Sequence, residues 1–254
     1  MNVPAVPGAF HWTGETWGAA LRCGPLEPVA PHLFTTRHLP LASPEDWQRV
    51  AEALGARSVQ TLTQVHGCAV VTLRKGVRLR DDKPEADVLV SDDPDVAIAV
   101  RAADCVPILI ADQRTGAVAA VHAGWRGTAA GAATAAVKAL ERDFGARPAD
   151  LIAAIGPSIG PCCYEVGSEL VDAFAAAGHE RHLIDRWFIS IEGRLRLDTW
   201  AANRDQLTLA GLDDQNIHSC GLCTATNLNL FPSYRAEGQQ AGRIAGAIKV
   251  KGKR

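Results

Sequence analysis

Two histidines and a cysteine stand in three short strings of this chain. The strings are Gln64-Val65-His66-Gly67, Ala103-Asp104-Cys105-Val106-Pro107 and His122-Ala123-Gly124-Trp125-Arg126-Gly127. Imidazole nitrogen and thiolate sulfur are good zinc donors. A zinc ion held by three protein groups keeps a fourth position for water or substrate, the pattern of a catalytic rather than a structural site. Taken one at a time, the same residues also fit a buried cysteine at a strand start and two hydrogen-bonded histidines. The chemistry therefore depends on whether the chain brings them together.

The segment between Cys105 and His122 reads as a hairpin. Ile108-Leu109-Ile110-Ala111 leads into Asp112-Gln113-Arg114-Thr115-Gly116, which has turn chemistry, and Ala117-Val118-Ala119-Ala120-Val121 returns. A turn centred on Gln113 and Arg114 sets position 105 opposite 122, and a four-residue loop shifts the pairing by two. Either register leaves the two Cα atoms roughly 4.5–8 Å apart, a span one ion can bridge. Pro107 cannot donate to a ladder, so its strand is expected at an edge or to begin there. His66 is expected at the end of a strand over 59–65, where it could complete the set.

The turn after His122 runs into an alanine-rich helix expected over 128–144, with Thr128 as N-cap. Free N–H groups and the positive end of a helix dipole favour an anion there. Arg126 adds a charged fork suited to phosphate or carboxylate. The alternative is that the glycines only permit a tight turn and Arg126 pairs with an acid.

The frame for these strings reads as interleaved strands and helices. A hairpin is expected around residues 10–17. A helix follows over 43–54, with Ser43 as N-cap, Pro44 at the first helical position and Gly55 beyond its end. Strands are expected over 68–73, 88–91, 96–100, 151–155, 195–198 and 243–250, and helices over 167–177 and 199–210. Hairpins alongside strand–helix alternation imply an α/β (mixed α+β) fold with mixed sheets rather than a pure βαβ array.

Composition narrows the function classes. The chain has 254 residues, 47% hydrophobic and 21% charged, with a formal net charge of −2. No basic excess points to nucleic acid, and no apolar run approaches the roughly 18 residues that span a membrane. No basic segment followed by an apolar run opens the chain, so a cytoplasmic protein is expected. Seven cysteines are an odd count that reads as thiols or ligands in a reducing compartment. Cys162-Cys163 and Cys220-x-x-Cys223 are read as buried or incidental thiols, because a single CxxC without a partner CxxC is a weak metal signal.

The three strings, with Gly156-Pro157-Ser158-Ile159-Gly160-Pro161, Ser233-Tyr234-Arg235 and Gly242-Arg243, resemble the bacterial YfiH family. That family is also called the polyphenol oxidase or laccase-domain family, the peptidoglycan editing factors and the FAMIN-like purine nucleoside enzymes. The likeness runs from about residue 59 to 250 within one expected domain, 1–254, whose first 58 residues diverge. It implies a sandwich of mixed sheets flanked by helices, similar to cytotoxic necrotizing factor hydrolases. It implies one zinc ion on His66, Cys105 and His122, a site that copper could also enter by exchange.

The activity the resemblance implies is phosphorolysis of purine nucleosides (adenosine, inosine, guanosine, methylthioadenosine), with adenosine deamination alongside. Purine nucleoside and phosphate would be the partners, with neither nucleic acid nor membrane. Cys105, His122, Asp104 and Arg126 are the expected catalytic group: Asp104 orients a ligand histidine or relays a proton, and Arg126 holds phosphate. Gln64, Arg37 and Arg235 are the expected substrate contacts. The family usually continues Thr-Thr-Arg with a Gly-Gly-Val-Ser segment, whereas Thr35-Thr36-Arg37 here runs into His38-Leu39-Pro40-Leu41-Ala42. A shortened loop there bears on nucleoside preference.

Three other readings compete. A Cys-His amide hydrolase acting on peptidoglycan precursors would use Cys105 as nucleophile and His122 as base. A copper-dependent, laccase-like polyphenol oxidase would need many imidazoles, against eight histidines here with no His-x-His pair. A catalytically weakened binding protein would keep the metal without turnover.

Overall fold

The computed structural model describes residues 3–6, 8–77 and 83–252. At its centre lie two six-stranded sheets. In spatial order the first runs Phe10–Glu15, Gly18–Cys23, His32–Phe34, Ile244–Lys249, Val96–Ala102 and Ser58–Gln60. The second runs Ile217–Ser219, Leu151–Ile155, Val106–Asp112, Val118–Ala123, Val88–Ser91 and Val70–Leu73. Both are mixed: Ser58–Gln60 is parallel to Val96–Ala102, Leu151–Ile155 to Ile217–Ser219, and Val70–Leu73 to Val88–Ser91.

Strand periodicity explains the layering. Successive side chains point to opposite faces, so Leu109 and Ala111 enter the core between the sheets with Phe34, Ile98 and Ile248. Ile108 and Ile110 face the other way, against Val137 and Leu140 of the helix Ala132–Phe144. On the outer side of the first sheet, Ala97, Ala99, Ala245 and Ala247 take Val50 and Leu54 of the helix Pro44–Leu54. The result is the expected sandwich of mixed sheets flanked by helices. Among the described residues no helix is long and apolar enough to cross a membrane.

Several local expectations hold in detail. Ser43 Oγ accepts from the Asp46 amide, Asp46 accepts back from Ser43 N–H, and Gly55 ends the helix at φ 62°. The hairpin between Cys105 and His122 forms with the longer loop: Pro107 faces His122 and Val106 faces Ala123. Cys105 then lies across from Gly124, one step beyond the last pair. Pro107 sits near the start of an interior strand.

Three expectations are corrected. The strand over 59–65 is only Ser58–Gln60, because Gln64 turns its side chain onto the neighbouring strand instead of continuing the ladder. The helix over 128–144 is two helices, Trp125–Ala129 and Ala132–Phe144, broken at Gly131 with φ 77°. Thr128 lies inside the first and is fully buried, with its hydroxyl accepting from Asn203; it is not an N-cap. The helix over 167–177 shortens to Glu169–Ala176, and a helix at Arg181–Trp187 and a strand at Phe188–Ile191 follow it.

The two sheets approach closely at Gly156. A Cβ there would lie 2.2 Å from Cε1 of the fully buried Phe34 ring. Gly156→Ala is expected to cost about 1–3 kcal/mol through forced movement of a packed ring. Chemical denaturation checks this, and an unchanged midpoint would contradict the packing.

Candidate metal centre

His66, Cys105 and His122 meet. One ligand atom from each lies within 4.8 Å of the others, and the two imidazoles stand edge to face with centroids 4.9 Å apart. His122 is 3% exposed, Cys105 is half-buried and His66 faces solvent. The site is thus anchored on the sheet side and open on the other.

A residue without any motif holds the site together. Asp87, fully buried, stands immediately before the strand Val88–Ser91. That strand pairs Val88 with Val121, so the register puts Asp87 opposite His122. Asp87 Oδ1 accepts from His122 Nδ1 at 2.7 Å and from the His66 amide at 3.0 Å. Its Oδ2 accepts from the amides of Gly67 at 2.7 Å and Val65 at 3.2 Å. One carboxylate therefore fixes the tautomer of one ligand histidine, leaving Nε2 for a metal, and pins the loop that carries the other. A carboxylate behind a ligating imidazole is the arrangement that orients the ring and raises its basicity.

The donor set fits a metal ion on a second observation. A Cβ on Gly124 would lie 2.9 Å from Cys105 Sγ and 3.2 Å from the His66 ring. Only a glycine lets the returning strand pass the ligands. His66 itself has φ 63°, and Asp104, next to Cys105, has φ 81°. Left-handed backbone at non-glycine residues costs of order 1–3 kcal/mol each and persists only where neighbours over-determine it.

Charges in the centre are strongly coupled. Burial favours the neutral thiol, but hydrogen bonds from His122 and His66 prevail and bring Cys105 down to about 6. Burial likewise opposes the imidazolium, yet the bonds to Asp87 and Cys105 raise His122 to about 9. Against its own burial, Asp87 is held below the usual carboxylate range by His122 and the Gly67 and His66 amides.

The other expected site residues divide. Asp104 does not orient a histidine: it accepts from Thr224 Oγ1 and from the Arg235 amide, both at 2.6 Å. It thereby fixes the turn leading into Cys105. Gln64 bonds both backbone groups of Arg101, at 2.7 and 2.8 Å, and so straps the His66 loop to the first sheet. Arg37 pairs with Glu237 at 2.5 Å and donates to the Leu228 carbonyl, which engages its guanidinium in the protein itself.

Arg126 is exposed, stacks over Trp125 at 4.2 Å, and has no ion pair among the described residues. The expected alternative, a pair with an acid, is thus not formed among the described residues, and Arg126 lies within the helix Trp125–Ala129, which is only one short turn. Arg235 donates to the Glu165 carbonyl at 3.0 Å and lies over Tyr164.

His66, Cys105, His122, Asp104, Gln64, Arg126 and Arg235 line a cleft of about 980 Å³ together with Tyr164, Tyr234, Arg101 and Arg243, and Arg37 lies outside that lining. Pro40 and Leu41, from the stretch after Arg37, form part of its wall. Burial pushes the Tyr164 hydroxyl up to about 12, so it stays protonated as a donor.

A family model described as multi-copper polyphenol oxidoreductase laccase matches residues 37–251. A purine nucleoside phosphorylase of Deinococcus radiodurans is 35% identical over 96% of this chain and 89% of its own. The adenosine deaminase RL5, from an unknown prokaryotic organism, is 38% identical over 74% of this chain and 73% of its own. The crystal structure of the hypothetical protein YfiH from Bacillus licheniformis has a TM-score of 0.83 at 28% identity, covering 94% of this chain and 97% of that one. The chain belongs to this YfiH laccase-domain family. Its relatives carry enzyme names for purine nucleosides, and this YfiH-type chain has a His-Cys-His group able to hold a metal.

Asp87 carries no motif, and sequence reasoning missed it. Its only signal is an acid set immediately before an apolar strand. Asp87→Asn is expected to lower metal affinity about 10–100-fold, measured by chelator competition; unchanged affinity would contradict its orienting role. Metal binding should also be pH-dependent. Between about pH 6 and 9 the metal-free centre is a thiolate–imidazolium pair, and the ion must displace the His122 proton. Apparent affinity should rise about tenfold per pH unit across that window and level off above it; a flat profile from 6 to 9 would contradict the coupling.

Proposed function

We propose that this protein is a zinc-dependent purine nucleoside phosphorylase that also deaminates adenosine. The observation that carries the reading is an open His-Cys-His centre beside an arginine with no ion pair among the described residues, in a cleft large enough for a nucleoside. The phosphorylase and deaminase names of its relatives support the substrate class.

In phosphorolysis a phosphate oxygen bonds to C1′ of the ribose while the bond from C1′ to the purine nitrogen breaks. The bonding pair leaves with the base. Arg126 would hold the phosphate: its fork has no ion pair among the described residues, and stacking on Trp125 limits the freedom it would lose on binding. Tyr164, kept neutral, is a donor for the departing base or for ribose. Tyr164 and Tyr234 offer aromatic faces to a purine. Cys105, His122 and His66 would hold zinc, which supplies Lewis-acid polarisation and an activated water for the deaminase reaction. Asp104 and Gln64 act as positioning residues, through Arg235 and Arg101. Substrate rank among adenosine, inosine, guanosine and methylthioadenosine would be set in part by the wall at Pro40 and Leu41.

The amide-hydrolase reading uses Cys105 and His122 alone and gives no reason for His66 to close on both. A four-copper oxidase has too few imidazoles at this site.

The test is base release from adenosine and inosine, with and without phosphate, alongside metal analysis. Phosphate-dependent release of hypoxanthine and adenine is expected. Cys105→Ala should lose zinc and turnover together. Arg126→Ala should keep zinc and raise KM for phosphate by about tenfold or more, in line with the loss of a charge-assisted contact. Phosphorolysis by zinc-free Cys105→Ala, or release that ignores phosphate, would contradict the proposal.

A further inference from the structure

Three thiols unused by the nucleoside reading converge on the loops that carry Tyr164 and Thr224. Cys162, Cys163 and Cys223 place their sulfurs within 4.8 Å of one another, with Cys162 and Cys163 Sγ 3.7 Å apart. A zinc–sulfur bond of about 2.3 Å implies a tetrahedral sulfur–sulfur edge of about 3.8 Å. The spacing is thus that of donors around one ion. A disulfide would need the sulfurs at about 2.05 Å.

The cluster is held in place from several directions. The Gly160 amide donates to Cys223 Sγ at 3.3 Å, and the Cys163 amide donates to the Gly160 carbonyl at 3.0 Å. Arg196 donates to the Cys162 carbonyl at 3.1 Å, and the Thr224 amide donates to the Ser158 carbonyl at 3.0 Å. Exposure is graded: Cys223 is buried, Cys163 intermediate and Cys162 exposed, which leaves an edge for entry. Cys220 plays no part. It lies in the inter-sheet core at 1% exposure, so the CxxC spacing is not a chelating pair here.

We propose that Cys162, Cys163 and Cys223 form a second, all-thiolate site for a soft metal ion, independent of the nucleoside reading. Three sulfurs without nitrogen or carboxylate donors select Cu(I) or Zn(II) over hard cations. Zinc would complete its shell with water at the exposed edge. On loading, each thiol still protonated loses a proton to solvent as its metal–sulfur bond forms, and no group changes oxidation state. The occupied site ties the turn before Tyr164 to the loop whose Thr224 hydroxyl holds Asp104.

The test titrates reduced, metal-stripped protein with Zn(II), with Cd(II) read by its thiolate absorption, and with Cu(I) against a competing chelator. Two equivalents of Zn(II) or Cd(II) are expected for the unaltered protein. One is expected for Cys105→Ala, one for Cys162→Ser/Cys163→Ser, and none when all three changes are combined. The single variant Cys162→Ser, at an exposed position, guards against misfolding and should weaken the second equivalent at least tenfold. The Cu(I) and Zn(II) arms separate which ion is preferred. One equivalent in the unaltered protein with none in Cys105→Ala overturns the proposal. So does a disulfide from Cys223 to Cys162 or Cys163 formed in place of ion binding.

Discussion

The centre depends on the hydrogen bonds gathered by one buried carboxylate. Asp87 accepts from three successive backbone amides and one imidazole, and its own carbonyl accepts from the His122 amide at 2.8 Å. Hydrogen bonds to a charged group contribute about 1.5–3 kcal/mol each. Those bonds offset the desolvation of the acid and the left-handed backbone at His66. They also make the two histidines one unit: the ring of His122 and the loop of His66 answer to the same two oxygens.

The rest of the structure gives that carboxylate a fixed address. Asp87 and His122 face each other across a ladder in the interior of the second sheet, and Pro107 flanks His122 on the other side. Cys105 arrives from the turn just before Val106, shaped by Asp104 and its bonds to Thr224 and Arg235. Gly124 leaves room where any larger residue would strike the sulfur. A rigid strand supplies His122 and another begins at once after Asp87, while strapped loops supply His66 and Cys105. That division leaves the open side of the centre facing the cleft, with Arg126 at its edge.

Much of this was legible in the sequence, for reasons particular residues make plain. Cys105 and His122 could be brought together because a hairpin obeys simple arithmetic, and only the loop length was left open. The helix at Pro44–Leu54 announced itself through Ser43, Pro44 and Gly55. The alanines around Gly131 carry no stop signal, so the break there is a tertiary fact, in which the Gly131 amide donates to the Thr128 carbonyl at 3.1 Å. Asp87 was invisible because its importance comes from a pairing between strands distant in sequence. Arg37 and Gln64 have the right chemistry for substrate, yet their partners, Glu237, Leu228 and Arg101, are met only in the folded chain. The convergence of Cys162 and Cys163 with Cys223, rather than Cys220 with Cys223, is likewise a tertiary fact.

In this YfiH-type fold Asp87 holds His66 and His122 beside Cys105 as one open group able to take a metal. X-ray absorption at the zinc edge tests it most directly, on Cys162→Ser/Cys163→Ser protein loaded with one equivalent so that only this centre is seen. A shell containing two imidazole nitrogens and one sulfur is expected, with the imidazole signal reduced in Asp87→Asn. A shell with no sulfur, or one unaltered by Asp87→Asn, would contradict it.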